Sequence, residues 1–167
     1  MWPRGRGEDR FIVEGVAAGI PMVRMAAAGW SLEQLRESKA TFDAIRPGSY
    51  DARVRLADQD TDGVAAELIY PTVGMIICGL DDLDYKNACF IAYNRWLEEL
   101  CAAAPGRVYG TGCTAARTVG ETIADFERIK AQGVKGVMMP PSPATDVDYD
   151  DPAWDPAWRV ADCGPSA

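Results

Sequence analysis

At 167 residues, with 48% hydrophobic and 25% charged positions, the chain has the size and composition of one folded domain with a core, far from the signature of disorder. Its 25 acidic and 17 basic side chains leave a net charge of −8, a field that repels phosphate backbones and argues against nucleic acid as a partner. The absence of histidine excludes nucleophilic catalysis that depends on an imidazole base, and any metal site built on imidazole ligands from this chain alone.

The N-terminal run Met1-Trp2-Pro3-Arg4-Gly5-Arg6 is basic but continues into Gly7-Glu8-Asp9-Arg10 rather than an apolar stretch, so it does not read as a secretory signal. Residues 1–50 read as an irregular segment with no obvious core of its own. It holds Phe11-Ile12-Val13, the small-residue stretch Ala26-Ala27-Ala28-Gly29, and a short helix capped by Ser31 with Gln34 at the capping-box position. Residues 51–167 have a different texture. Asp51 is the N-cap of a helix to about Asp60, and Gly63 ends it.

Three strand-then-helix units follow. The first pairs Val64–Tyr70 with a long helix over about Asp82–Ala104, whose Phe90, Tyr93, Trp96, Leu97 and Leu100 recur at helical spacing. The second pairs Val108–Cys113 with a helix over about Thr118–Gln132, patterned by Ile123, Phe126 and Ile129 and stopped by Gly133. The third pairs Val134–Met139 with Asp151–Cys163, which carries Trp154, Trp158 and Ala161. This alternation predicts an α/β fold with a parallel sheet and helices outside it. A closed barrel of such units has eight, so three of them predict a partial (β/α)8 barrel whose exposed sheet edges favour self-association.

Several constellations bear on chemistry. Asp58-x-Asp60-x-Asp62-Gly63 has the first half of a calcium loop, but Ile69 stands where the bidentate glutamate belongs, so a charged helix end is the better reading. Val108-x-Gly110-x-Gly112-x-x-Ala115 resembles a dinucleotide fingerprint, which keeps a nicotinamide-binding oxidoreductase as an alternative. The following strand, however, ends in Met138-Met139-Pro140-Pro141 where a ribose-binding carboxylate is needed. Asp146, Asp148, Asp150 and Asp151 read as a solvated acidic loop. The five cysteines Cys78, Cys89, Cys101, Cys113 and Cys163 are odd in number and never spaced C-x-x-C, which suits small buried thiols in a reducing, cytoplasmic setting. Cys113, with only Arg117 nearby, reads as an inert thiol rather than a nucleophile. No stretch approaches the roughly 20 apolar residues of a membrane span, so no membrane is expected as a partner.

From about Asp51 to Val160 six elements in order resemble the amidohydrolase-related family of barrel enzymes, metal-dependent hydrolases and nonoxidative decarboxylases. They are Asp58-Gln59-Asp60-Thr61-Asp62-Gly63-Val64 leading into Glu67-Leu68-Ile69-Tyr70-Pro71-Thr72; Tyr93-Asn94-Arg95-Trp96-Leu97; Pro105-Gly106-Arg107-Val108-Tyr109-Gly110; Gly133-Val134-Lys135-Gly136-Val137; and Asp151-Pro152-Ala153-Trp154-Asp155-Pro156-Ala157-Trp158. Asn94-Arg95 departs from the Asn-Asp pair of that helix.

The resemblance implies a (β/α)8 barrel with zinc or another divalent metal, held by a His-x-His pair on the first strand, later histidines and a final aspartate. On this expectation Asp9–Gly15 follows the first strand, so those ligands fall upstream of Met1 and downstream of Ala167, and residues 51–167 are the middle of the barrel. The chain then holds no catalytic residue, no metal ligand and no cofactor of its own. It is expected to be an inactive fragment that meets a small-molecule substrate only if missing barrel segments complete it. Strand C-termini face the mouth of such a barrel, which makes Thr72, Thr114, Arg117 and Ser142 the substrate-pocket candidates. A non-catalytic, oligomerising βα module is the further alternative.

Overall fold

The computed structural model describes residues 9–17, 19–23, 29–37 and 40–162. The chain divides into two compact units, Met1–Arg55 and Leu56–Ala167. In the first, β1 (Arg10–Phe11) and β2 (Ile20–Pro21) pair antiparallel, and the Arg10 guanidinium donates twice to the Gly19 carbonyl at 2.8 and 3.1 Å. The expected capping box is present. The Ser31 amide donates to Gln34 Oε1 at 2.8 Å and the Gln34 amide to Ser31 Oγ at 3.2 Å, at the start of α1 (Leu32–Glu37). Contrary to the reading of a segment without a core, Met22, Ala40 and Ile45 are buried together under Phe11, Val23, Trp30 and Ala44. Asp9 organises the strand side, its carboxylate accepting from the Phe42 amide at 2.8 Å and its backbone bonded to Ala40 and Met22. Ala26, Ala27, Ala28 and Cys163 lie outside the described residues.

The second unit is the parallel α/β layer. Helix α2 (Ala52–Asp62) ends at Gly63, whose φ of 70° is the left-handed conformation a helix stop of this kind requires. Then come β3 (Glu67–Ile69), α3 (Gly74–Cys78), α4 (Leu83–Ala103), β4 (Val108–Cys113), α5 (Val119–Ala131), β5 (Gly136–Met138) and α6 (Asp155–Ala161). The strands lie in the order β3-β4-β5, all parallel, with Leu68 beside Tyr109 and Cys113 beside Met138. Three βα units therefore form as the hydrophobic pattern requires. Asp82 and Thr118 cap α4 and α5 through their side chains, accepting from the amides three residues on. The central strand has the expected bounds Val108–Cys113, the outer two are shorter than their apolar runs, and α3 occupies a connector that looked like turn.

Residues alternate across a strand, so Gly110 and Gly112 of β4 lie on the helix-facing side. A β-carbon on Gly110 would sit 2.5–2.7 Å from three carbons of Leu97, and one on Gly112 would sit 3.1 Å from Ile129 and 3.2 Å from Asn94. Close seating of α4 and α5 on the strand accounts for both glycines. Leu97, Ile129 and Val134 form the core beneath, joined by Ile69 and Val137 from the outer strands. A second core, around Phe126, Trp154 and Ala157, fixes α6 to α5, with Tyr149, Trp154 and Trp158 in mutual ring contact.

Candidate functional site

In parallel α/β folds ligands meet the C-terminal ends of the strands, so the residues following Ile69, Cys113 and Met138 define the region of interest. The four pocket candidates differ in burial and bonding there. Thr72 and Ser142 are exposed on separate loops. Thr114 is wholly buried, its hydroxyl donating to Asp125 Oδ2 at 2.6 Å and accepting from the Ala116 amide at 3.2 Å. Asp125 is also held by Arg128, one turn on in α5. Arg117 forms ion pairs with Asp84 at 2.6 Å and Glu121 at 2.7 Å, which hold the head of α4 to the head of α5. Thr114 and Arg117 thus fasten the end of β4 to its neighbouring helices.

The residue that fixes this end most firmly is Asn94, buried on α4. Its amide donates to the Cys113 carbonyl at 2.9 Å and its side-chain oxygen accepts from the Cys113 amide at 2.8 Å, so one side chain satisfies both backbone groups of the last residue of β4. Just beyond, Ala116 adopts φ 49°, the one positive-φ residue other than glycine among those described. Such backbone costs about 1–3 kcal/mol and persists where its surroundings hold it. Here the Ala144 amide bonds the Ala116 carbonyl at 3.1 Å, and the side chain is buried with Trp154. Asn94 stands out in the sequence as an amide at helical spacing between Phe90 and Leu97, within the Tyr93–Leu97 element that carries the resemblance.

Helix α3 lies over part of this strand end. Ile77 and Cys78 pack with Tyr93 and Met138 against the buried Phe90, Cys113 and Ala115. Burial pushes the Cys113 thiol up to about 12, with the nearby Cys78 adding to it; Cys78 is itself raised by burial, opposed by the charge of Lys86. These thiols are protonated at neutral pH and are poor nucleophiles as they stand.

The other constellations resolve as local structure. Asp58, Asp60 and Asp62 lie on α2, where alternate residues diverge around the helix instead of wrapping a cation, and Asp60 pairs with Arg107 at 2.7 Å. In the acidic loop Asp151 accepts from the Ala153 amide at 2.8 Å, while Asp146, Asp148 and Asp150 are exposed. Among the described residues no group of three or more Cys, Asp or Glu side chains is placed to hold a metal ion. The strand ends offer hydroxyls, prolines, methionines and a paired arginine, a donor set that does not fit a hard divalent cation, which takes carboxylate and imidazole ligands. Among the described residues no helix is long and apolar enough to cross a membrane.

No family model matches the sequence, and no curated protein sequence matches it. Solved structures do. The chain is similar to 2,6-dihydroxybenzoate decarboxylase from Rhizobium, with TM-score 0.54 and 15% identity, over 90% of this chain and 44% of that one. It is similar to 2,6-dihydroxybenzoate decarboxylase complexed with 2,6-dihydroxybenzoate, with TM-score 0.55 and 17% identity, over 78% and 43%. It is also similar to 5-carboxyvanillate decarboxylase from Novosphingobium aromaticivorans, complexed with manganese and 4-hydroxy-3-methoxy-5-nitrobenzoic acid, with TM-score 0.54 and 22% identity, over 83% and 42%. The chain spans less than half the length of these structures. At such identities the likeness is one of fold, and it places the three parallel βα units as part of a (β/α)8 barrel.

Proposed function

We propose that this chain is one part of a metal-dependent barrel decarboxylase acting on a small aromatic carboxylate, and that it is inactive without the remainder. The observation that supports this most is the asymmetry of the fold match, which takes in up to 90% of this chain and at most 44% of the decarboxylases. The donor set at the strand ends supports it too. Decarboxylation of this kind needs a metal or other electron sink for the charge left as the carboxylate departs, and Thr114 and Arg117 are committed to Asp125, Asp84 and Glu121. The complete barrel would use zinc, manganese or another divalent ion. The described thiols Cys78, Cys89, Cys101 and Cys113 are all free, which supports a cytoplasmic setting.

The test is an assay of the isolated chain, supplied with manganese, for loss of carbon dioxide from 2,6-dihydroxybenzoate and 5-carboxyvanillate. No turnover and no stoichiometric manganese uptake are expected, and either one would overturn the reading of an inactive part. The DNA flanking the coding sequence gives a second test: a His-x-His upstream and a strand ending in histidine downstream are expected, and finding neither sinks the decarboxylase assignment. A second reading, a self-associating non-catalytic module, is favoured by Leu68 and Tyr109, adjacent in register and exposed on the sheet face away from the helices. A discrete oligomer that buries these residues and melts cooperatively supports it.

A further inference from the structure

The parallel sheet of the second unit runs in the order β3-β4-β5, so each outer strand bonds β4 on one side and, among the described residues, no strand on the other. The two open edges differ in what lies beside them. At the β3 end the segment Val64-Ala65-Ala66-Glu67-Leu68-Ile69-Tyr70 is apolar apart from Glu67, and five of its seven residues are exposed, Leu68 by 43% and Tyr70 by 67%. An exposed apolar edge strand is a template for pairing with another strand. At the β5 end the edge adjoins a groove of about 590 Å³ between α5, β5 and α6, walled by Phe126, Ile129, Val137, Trp158 and Val160. Val137, Trp158 and Val160 pack on the buried Phe126 and Trp154 yet stay only partly buried, so this apolar wall is incomplete. The charged residues that line the groove are Lys130 and Lys135.

The two ends are complementary. One offers an extended apolar segment with a single carboxylate, the other an unpaired strand edge beside an apolar slot that carries two ammonium groups. All three strands run parallel, so β3 of one copy laid along β5 of another continues the sheet in the same sense. Ile69 belongs to the core with Leu97 on the helix-facing side, and alternation puts Glu67 on that side too, the side on which the groove opens. Pairing of like edges, β3 with β3 or β5 with β5, offers no such opposite charge. We propose that copies of this chain associate head to tail, β3 of one copy adding as a fourth parallel strand to β5 of the next, with its Glu67 facing Lys130 and Lys135. A contact between two unlike surfaces leaves one of each free at the ends of every complex, so it propagates beyond the dimer. It uses the sheet edges rather than the face that carries Leu68 and Tyr109, and it does not depend on the decarboxylase reading.

The test is sedimentation velocity on the full chain and on two variants changed only at exposed positions. Ala65→Lys with Ala66→Lys blunts the β3 edge and leaves the groove intact; Lys135→Ala with Ala161→Trp removes a groove charge and fills the slot, leaving β3 intact. The unchanged chain is expected to form species beyond the dimer that grow with concentration. Each variant alone should be monomeric under the same conditions, and an equal mixture of the two should form a one-to-one dimer and nothing larger, because the mixture contains one usable pair of edges. Circular dichroism checks that both variants fold. Hydrogen exchange gives a reading on the unchanged chain: amides of residues 64–70 and 136–139 should gain protection together as concentration rises. The proposal is overturned if the unchanged chain stays monomeric, if either folded variant still associates, if the mixture yields no dimer or grows past it, or if protection rises in only one of the two segments.

Discussion

On the helix-facing side of β4, a carbon added to Gly110 would collide with Leu97 and one added to Gly112 would crowd Ile129, whereas Tyr109, just before them in sequence, points away and is 36% exposed. Its register partner Leu68 is 43% exposed. The same strands therefore present one face filled to close packing and another with apolar side chains in water. A half-buried sheet ordinarily puts polar residues on its solvent side. A sheet that reads as apolar on both faces is built to be covered on both, as barrel strands are, and the comparison of the two faces is the physical content of calling this a partial barrel.

The sealed face is the more sensitive. Gly110→Val should destabilise the second unit by about 3 kcal/mol or unfold it, because Leu97 is fully buried and its carbons have no free volume to move into. Tyr109→Val, one position away, should change stability by about 0.5 kcal/mol or less. Urea denaturation followed by the fluorescence of the buried Trp154 measures both, and equal effects would refute the asymmetry.

Asn94→Leu tests what holds the end of β4. The change keeps the volume and removes both hydrogen bonds to Cys113, leaving a buried amide and carbonyl unpaired, so a loss of about 2–4 kcal/mol is expected despite the greater hydrophobicity. A neutral or stabilising result in the same denaturation experiment would mean that Asn94 only fills space.

These effects show where the sequence was informative. The three βα units, their caps at Asp82 and Thr118 and their stops at Gly63 and Gly133 follow from local rules, because periodicity and capping act within a few residues. The site did not follow. Thr114 sits at a strand end, which nominates it for a pocket, but Asp125, eleven residues on, turns its hydroxyl inward. Thr72 and Ser142 were named from loop position, and both are exposed. Helix α3 is five residues long, too short for a period to show, and Gly74 at its start is seated closely on Pro71, where a β-carbon would come within 2.7 Å. Contacts that periodicity does not encode decided Thr114 and α3.

The buried thiols give the pH dependence of the covered strand end. Cys113 is raised from 9.0 to about 12 by burial, with Cys78 contributing, so the folded state keeps a proton that the unfolded chain releases above pH 9. Unfolding then loses protons, and stability falls as pH rises from about 9 toward 12, the contribution being fully present below 9. Cys113→Ala should flatten that part of a melting-temperature profile, and an unchanged slope would show that the thiol is not shielded.

The smallest effect on stability belongs to the open face itself. Leu68→Thr combined with Tyr109→Thr keeps strand-compatible side chains and removes exposed apolar area, so the melting temperature should hardly move, by the equivalent of about 0.5 kcal/mol or less. Its effect on association should be larger. If the face is covered by other chains, or by the same chain in another copy, the double variant will lower dye binding and shift the sedimentation profile toward monomer while the denaturation curve stays in place. If stability drops by several kcal/mol instead, the face is already packed within the isolated chain, and the contrast with the glycine-lined side disappears.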